Sequence, residues 1–210
     1  MTPVDLLRNH LIESSAVKLR LADSATVSVI VEAARQLAIS VKNGGKIMLC
    51  GNGGSAADSQ HLAAEFTSRL RATMERPAIA AIALTTDTSF LTARANDYGF
   101  DEVFERLVDG LGRPGDALIG ISTSGGSRNV IRAVCRAKTK GIKTVGFLGG
   151  TGGELAGIVD LPILVPSDST QHIQEAHITI GHVLCELIEE SLYGALSSSL
   201  TPESRLGHRK

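Results

Sequence analysis

Lys46–Glu65 reads KIMLCGNGGSAADSQHLAAE, and the fold class turns on how this stretch is understood. Lys46 to Cys50 is a short apolar run bounded by glycines, the pattern of a buried strand. Gly51, Asn52, Gly53 and Gly54 break the chain sharply, and an Ala-rich helix is expected from Ala56 to Phe66. Ser55 is placed to cap that helix, with Asp58 three residues on as a near-equivalent of a capping box. A strand, a glycine turn and a helix N-terminus form one unit. Its backbone lets a ligand approach closely, and its free N–H groups and helix dipole favour an anion. One turn further on, His61 and Glu65 stand at i and i+4 on one helix face.

The same construction recurs downstream. Asp116–Ile121 (DALIGI) is a buried strand that runs into Ser122-Thr123-Ser124-Gly125-Gly126-Ser127 and then a helix from Arg128 to Lys140. Four hydroxyls and free helix N–H groups make an oxyanion cradle there, although a capped, hydrated loop would read the same way. Three more strands are expected: Ala78–Leu84, fully buried; Lys143–Leu148; and Leu161–Val165, which Pro162 puts near an edge. Two helices, Val4–Leu21 and Thr26–Val41, precede the first strand. Thr85-Thr86-Asp87-Thr88-Ser89 is a polar loop that can cap a helix beginning near Phe90, Asn96-Asp97-Tyr98-Gly99 reads as a turn, and a helix spans Phe100–Gly110. Gln171–Leu196 is one long helix, and the polar 197–210 is expected to be a disordered tail. Alternating strands and helices give a three-layer α/β/α domain over 1–196 with a mainly parallel five-stranded sheet and extra N-terminal helices. Ligands of such sheets bind at the strands' carboxyl ends near a switch in strand order, so one site is expected between the two glycine loops.

Composition narrows the function. A net charge of -1 and 3% aromatics argue against nucleic acid and an anionic membrane surface as partners. Cys50, Cys135 and Cys185 are widely spaced and form no CxxC pair, so buried free thiols in a reducing, cytoplasmic setting are expected. No apolar run reaches bilayer length, and no secretory pattern opens the chain.

The long last helix carries Gln174, Glu175, His177 and His182. Gln174 and His182 lie about 12 Å apart along the axis and about 80° apart around it. His61, Glu65, Gln174 and His182 form an N/O donor set suited to zinc or another divalent ion. Reaching one ion would require both helix-borne side chains to lean together, or a subunit contact to complete the set. A carboxylate and an imidazole beside a sugar carbonyl are also what moving a proton between adjacent carbons requires. Taken singly, His182 among Ile180, Val183 and Leu184 reads equally well as a structural histidine, and so does His61. A dinucleotide site is a rival, since Gly51, Gly53 and Ala56 match G-x-G-x-x-A. The acidic residue expected about 20 positions on is missing, however: Arg71 stands there and Asp87 is too distant. No Gly-Lys-Ser/Thr follows either loop, which excludes a P-loop.

The runs CGNGGSAADSQHLAAEF, TTDTSFLTARANDYGF, GISTSGGSRNVIRA and IQEAHITIGHVLCELIE occur in one order over nearly the whole chain. They resemble the sugar isomerase (SIS) family, and within it the phosphoheptose isomerase branch. The resemblance implies a single flavodoxin-like SIS domain, a homotetramer with active sites at subunit interfaces, and one zinc ion per subunit. It implies isomerisation of sedoheptulose 7-phosphate to D-glycero-D-manno-heptose 7-phosphate, the first step toward the nucleotide-activated heptose of lipopolysaccharide. By the same resemblance zinc falls to His61, Glu65, Gln174 and His182, and the acid–base pair to Glu65 and His182. Substrate contacts fall to Asn52, Gly53, Gly54, Ser55, Glu65, Asn96, Asp97, Ser122, Thr123, Ser124, Ser127 and Gln174. Two alternatives stay open: a non-enzymatic relative that binds a replication initiator, and an isomerase of another phosphosugar.

Overall fold

The computed structural model describes residues 1–197, so the expectation of a disordered tail lies almost entirely outside the described residues. Five strands, β1 (Ile47–Gly51), β2 (Ala81–Ala83), β3 (Ala117–Ser122), β4 (Lys143–Gly149) and β5 (Leu161–Val165), form one sheet in the order β2-β1-β3-β4-β5. Every pairing is parallel. This is the flavodoxin-like doubly wound order, whose switch point lies between β1 and β3.

Successive residues of a strand point to opposite faces, and here both faces are covered. Ile47 and Leu49 pack with α1 (Pro3–Ala22), α2 (Thr26–Lys42), α3 (Gly54–Thr67) and α8 (Thr170–Ser197). Met48 and Cys50 pack with α5 (Val103–Leu111), α6 (Arg128–Thr139) and α7 (Gly153–Ala156), and α4 (Thr88–Tyr98) lies partly buried on the same side. That two-sided burial is why the central strands read as continuous apolar runs. The layer order and the N-terminal helices are as expected, and Pro162 lies in the edge strand β5.

Four local expectations fail, each for a physical reason. The second strand is three residues long and occupies the other edge. Ile79, Ala83 and Leu84 are buried while Ala78, Ala80 and Ile82 face out, so an apolar composition there does not mean two-sided burial. Asn96, Asp97 and Tyr98 are the last helical residues of α4, which ends at Gly99 with φ 92°; the turn lies one step later than its composition suggests. The expected Phe100–Gly110 helix opens as a 3-10 turn over Phe100–Glu102 before α5. Cys50 and Cys185 are buried free thiols, but Cys135 is exposed.

Two buried polar groups hold α8 in place. Glu189 is fully buried and receives the Arg76 Nε–H at 2.8 Å, the Leu70 N–H at 3.2 Å and the Arg71 Nε–H at 3.3 Å. Arg76 is buried and also donates to the carbonyls of Phe66, Pro77 and Glu65. His177 is not available for chemistry. It is fully buried against Phe147, its Nε2 lies 3.3 Å from the Leu148 carbonyl, and desolvation pushes its pKa down to about 4.

Removing one partner of a buried ion pair strands the other. Glu189→Ala is therefore expected to lower unfolding stability by about 3–5 kcal/mol, read from the denaturant midpoint, and pairing Arg76→Met with Glu189→Leu should recover much of the loss. His177 stays neutral when folded, whereas in the unfolded chain it takes a proton below its ordinary value of 6.5. Its stabilising contribution is thus complete above pH 6.5 and fades as pH falls toward about 4, by up to about 3 kcal/mol. Urea unfolding between those pH values should show that slope, and His177→Gln should flatten it.

Candidate active site at the β1–β3 switch point

Both glycine loops leave the carboxyl ends of neighbouring strands, and both lead into helices with no side-chain N-cap bond. Gly53 is the N-cap of α3, at φ 55° and ψ -120°, a conformation that disfavours side chains with a Cβ. The cap expected from Ser55 does not form: Ser55 lies inside the first turn, buried, and its carbonyl accepts the Ser59 hydroxyl at 2.8 Å. Ser127 is the N-cap of α6, yet its Oγ lies 2.9 Å from Ser122 Oγ instead of bonding a helix N–H. Neither N-cap side chain bonds a helix N–H, and the N–H groups left free in the two first turns favour an anionic ligand.

The hydroxyl loop is held tightly. Gly125 has φ 65°, and a Cβ there would fall 1.8 Å from the Gly152 carbonyl oxygen, so only glycine lets this loop lie against the one after β4. Gly126 N–H donates to Ser124 Oγ at 3.2 Å. Ser122 is buried, Thr123 is half-buried and Ser124 is exposed. A cavity of about 230 Å³ runs from Thr123 and Ser124 past Gly150 and Thr151 to Ser167 and Asp168, ahead of α8.

The residues expected to move protons come from α3 and α8. A Cβ on Gly54 would meet the Gln174 amide at 2.5 Å, one on Gly181 would meet Leu62 at 2.5 Å, and Leu70 N–H bonds Glu189. Residue numbers rise together along both helices, so they run parallel. The close approach at Gly181 brings the imidazoles of His61 and His182 together, Nε2 to Nε2 at 2.8 Å with rings edge to face. One ring donates and the other accepts, because both nitrogens cannot carry the proton. Glu65 Oε1 lies 3.6 Å from His61 Nε2. His61 thus stands between the two residues expected to move protons. Asp58, on the preceding turn, has a buried Oδ2 with no protein partner. Burial pushes its carboxyl up, and the fields of His61 and His182 pull it down.

The expected donors do not all converge in one chain. Gln174 lies across the first turn of α3, about 12 Å along the axis of α8 from His182. Among the described residues no three His, Cys, Asp or Glu side chains are spaced to hold a metal ion. His61, Glu65 and His182 nevertheless offer the N/O donors that zinc prefers, and His61 is exposed on the single chain. Asn96 donates to Asp97 at 2.9 Å, but both are exposed on α4, and no hydrogen bond among the described residues joins them to either loop.

Sequence reasoning missed Asn129. It is 3% exposed and exchanges two hydrogen bonds with Asn52, Nδ2 to Oδ1 at 2.9 Å in each direction. The only hint in the sequence is an Asn in the first turn of the helix after the serine loop.

Comparison with known proteins agrees with this architecture. The SIS domain pattern matches residues 12–149. A phosphoheptose isomerase of Pelodictyon phaeoclathratiforme is 52% identical over 189 residues, 90% of this chain and 89% of that protein. Solved phosphoheptose isomerases from Neisseria gonorrhoeae (TM-score 0.84, 44% identity) and Francisella tularensis (TM-score 0.86, 37% identity) each span 90% of this chain and all of theirs. By this family match, by identity over nine tenths of the chain and by the shared fold, the chain belongs to the SIS domain family and, within it, to the phosphoheptose isomerases, which are enzymes.

Proposed function

We propose that the protein isomerises sedoheptulose 7-phosphate to D-glycero-D-manno-heptose 7-phosphate, feeding synthesis of nucleotide-activated heptose for lipopolysaccharide. The observation that carries this reading is the cluster of His61 and Glu65, about two and three turns along α3 from its glycine N-cap, with His182 of α8, beside the second uncapped N-terminus of α6. The phosphate binds at the start of α6 with Ser122, Thr123, Ser124 and Ser127, which anchors the substrate away from the reacting carbons. Asn52, Gly53, Gly54 and Gln174 line the sugar at the start of α3, and Asn96 and Asp97 approach from α4 as subunits assemble. Glu65 removes the proton from C1, an enediol forms, and the proton returns at C2, while His182 handles the proton on the oxygens.

His61, Glu65 and His182, not spaced for a metal ion in the single chain, would hold one zinc ion per subunit after their side chains shift in the assembled protein, with Gln174 joining them across a subunit contact. When bound, the metal supplies Lewis-acid polarisation of the sugar oxygens. Homotetramer assembly is supported by α1, where Val4, Leu6, Leu7, Leu11, Ile12 and Leu19 are each about 60% exposed. A cytoplasmic location fits the three free cysteines. No single helix is long and apolar enough to cross a membrane among the described residues. The initiator-binding alternative is disfavoured because both Glu65 and His182 are present and the similar proteins are isomerases by name.

Glu65→Gln should bind the sugar phosphate with near-native affinity yet lose at least about a hundredfold in kcat, followed by NMR of the sugar. Undiminished turnover in that variant would exclude Glu65 as the base. Chelation should lower turnover by about ten- to a hundredfold, with recovery on adding zinc, and His61→Ala should lower the zinc retained after gel filtration.

A further inference from the structure

The pair formed by Asn52 and Asn129 crosses the switch point between β1 and β3. Asn52 is the residue between the end of β1 and the N-cap of α3, and Asn129 lies in the first turn of α6. Among the described residues no other side-chain hydrogen bond joins these two loops. Each carboxamide gives one N–H and accepts one, both at 2.9 Å. A pair of this kind is geometrically unchanged if both amides flip together, so by itself it does not fix which way either one points. A third contact removes that freedom. The backbone N–H of Val130 donates to Asn129 Oδ1 at 2.9 Å. Flipping Asn129 would set its NH2 against that N–H, donor facing donor. The backbone of α6 therefore fixes Asn129, and Asn129 fixes Asn52. Half of the hydrogen-bonding capacity of Asn52 is then committed, and the other N–H and one lone pair remain free in a set direction.

We propose that Asn129 is a positioning residue for the isomerisation. It orients the Asn52 carboxamide so that its free N–H meets a hydroxyl of the sugar-phosphate chain while the phosphate sits at the start of α6. The inference rests on the proposed reading of the site as a phosphosugar isomerase and names how one of its contacts is set. Water does not substitute for Asn129, because Asn129 is buried. Without it, the Asn52 amide rotates and the spacing between the anion loop and the proton-transfer helix loses its cross-tie. The substrate should feel this in binding more than in chemistry, since neither amide touches Glu65 or His182 through any hydrogen bond among the described residues.

The test is a double-mutant cycle on the full-length protein, with Asn52→Ala, Asn129→Leu and the pair, assayed on sedoheptulose 7-phosphate. Each single variant should raise KM about tenfold and change kcat by less than about threefold. The double variant should be no worse than either single one, because both remove the same contact. A side-chain NH2 resonance of Asn52 slowed in hydrogen exchange in the unliganded native protein, and lost in Asn129→Leu, is expected independently of any substrate. Additive losses, an unchanged KM in Asn129→Leu, or an Asn52 resonance indifferent to Asn129 would each overturn the proposal. If the native protein leaves sedoheptulose 7-phosphate unchanged, the substrate reading fails, and the exchange measurement still decides whether Asn129 orients Asn52.

Discussion

Two parallel strands that neighbour each other in the sheet but not in the sequence must send their chains in different directions when they end. At β1 and β3 this divergence leaves a crevice whose walls are main chain. Everything chemical in the molecule depends on keeping that crevice lined by backbone donors. Glycine at 53 supplies the left-handed N-cap of α3, glycine at 125 lets the hydroxyl loop lie against the loop after β4, and neither helix has its N-cap side chain bonded to a helix N–H. The anion preference of the site follows from peptide dipoles and unpaired N–H groups and needs no basic residue. That is why a chain with a net charge near zero can still build a phosphate-binding fold.

The crevice supplies only half of a reaction site. The other half comes from the parallel packing of α3 and α8, which share a register set by small and large residues in opposition. Leu62 fits where Gly181 has no side chain, and that approach is what lets two imidazoles meet. Further along, Glu189 collects three donors from the segment after α3. A slip of one helical turn, about 5.4 Å, would separate the imidazoles entirely. The buried charge thus specifies alignment, whatever its net contribution to stability.

Much of this was legible from residue order. Continuous apolar runs that stop at a glycine- or serine-rich loop mark buried parallel strands because both faces are covered, and β1, β3 and β4 were readable on that ground. The edge strand β2 was not: an alanine-rich run looks the same whether one face or two are covered. Ser55 looked like a cap because hydroxyls usually cap, but with glycine free to serve as the N-cap the serine moves into the helix and underground. His61, Glu65 and His182 were identifiable as a group. The position of Gln174 was not, since its two-turn offset matters only once the parallel arrangement of α3 and α8 is known. Asn129 and Glu189 escaped for a shared reason: their partners lie 77 and 113 residues away, and nothing local announces them.

The pairing of α3 with α8 also determines which part of the crevice can give way. With Gly181 seated on Leu62 at one level and Arg76 buried on Glu189 at the other, those two helices form a single stiff body on one side of the sheet. Helix α4, on the other face of the sheet, is held differently. Helix α4 buries none of its residues and is fastened mainly by its Asp87 cap and an ion pair from Arg94 to Glu102. Among the described residues α4 is the α-helix with no buried residue, so local opening costs least there. The His61, Glu65 and His182 cluster thus belongs to the stiff side of the sheet, and the weakly anchored helix to the other.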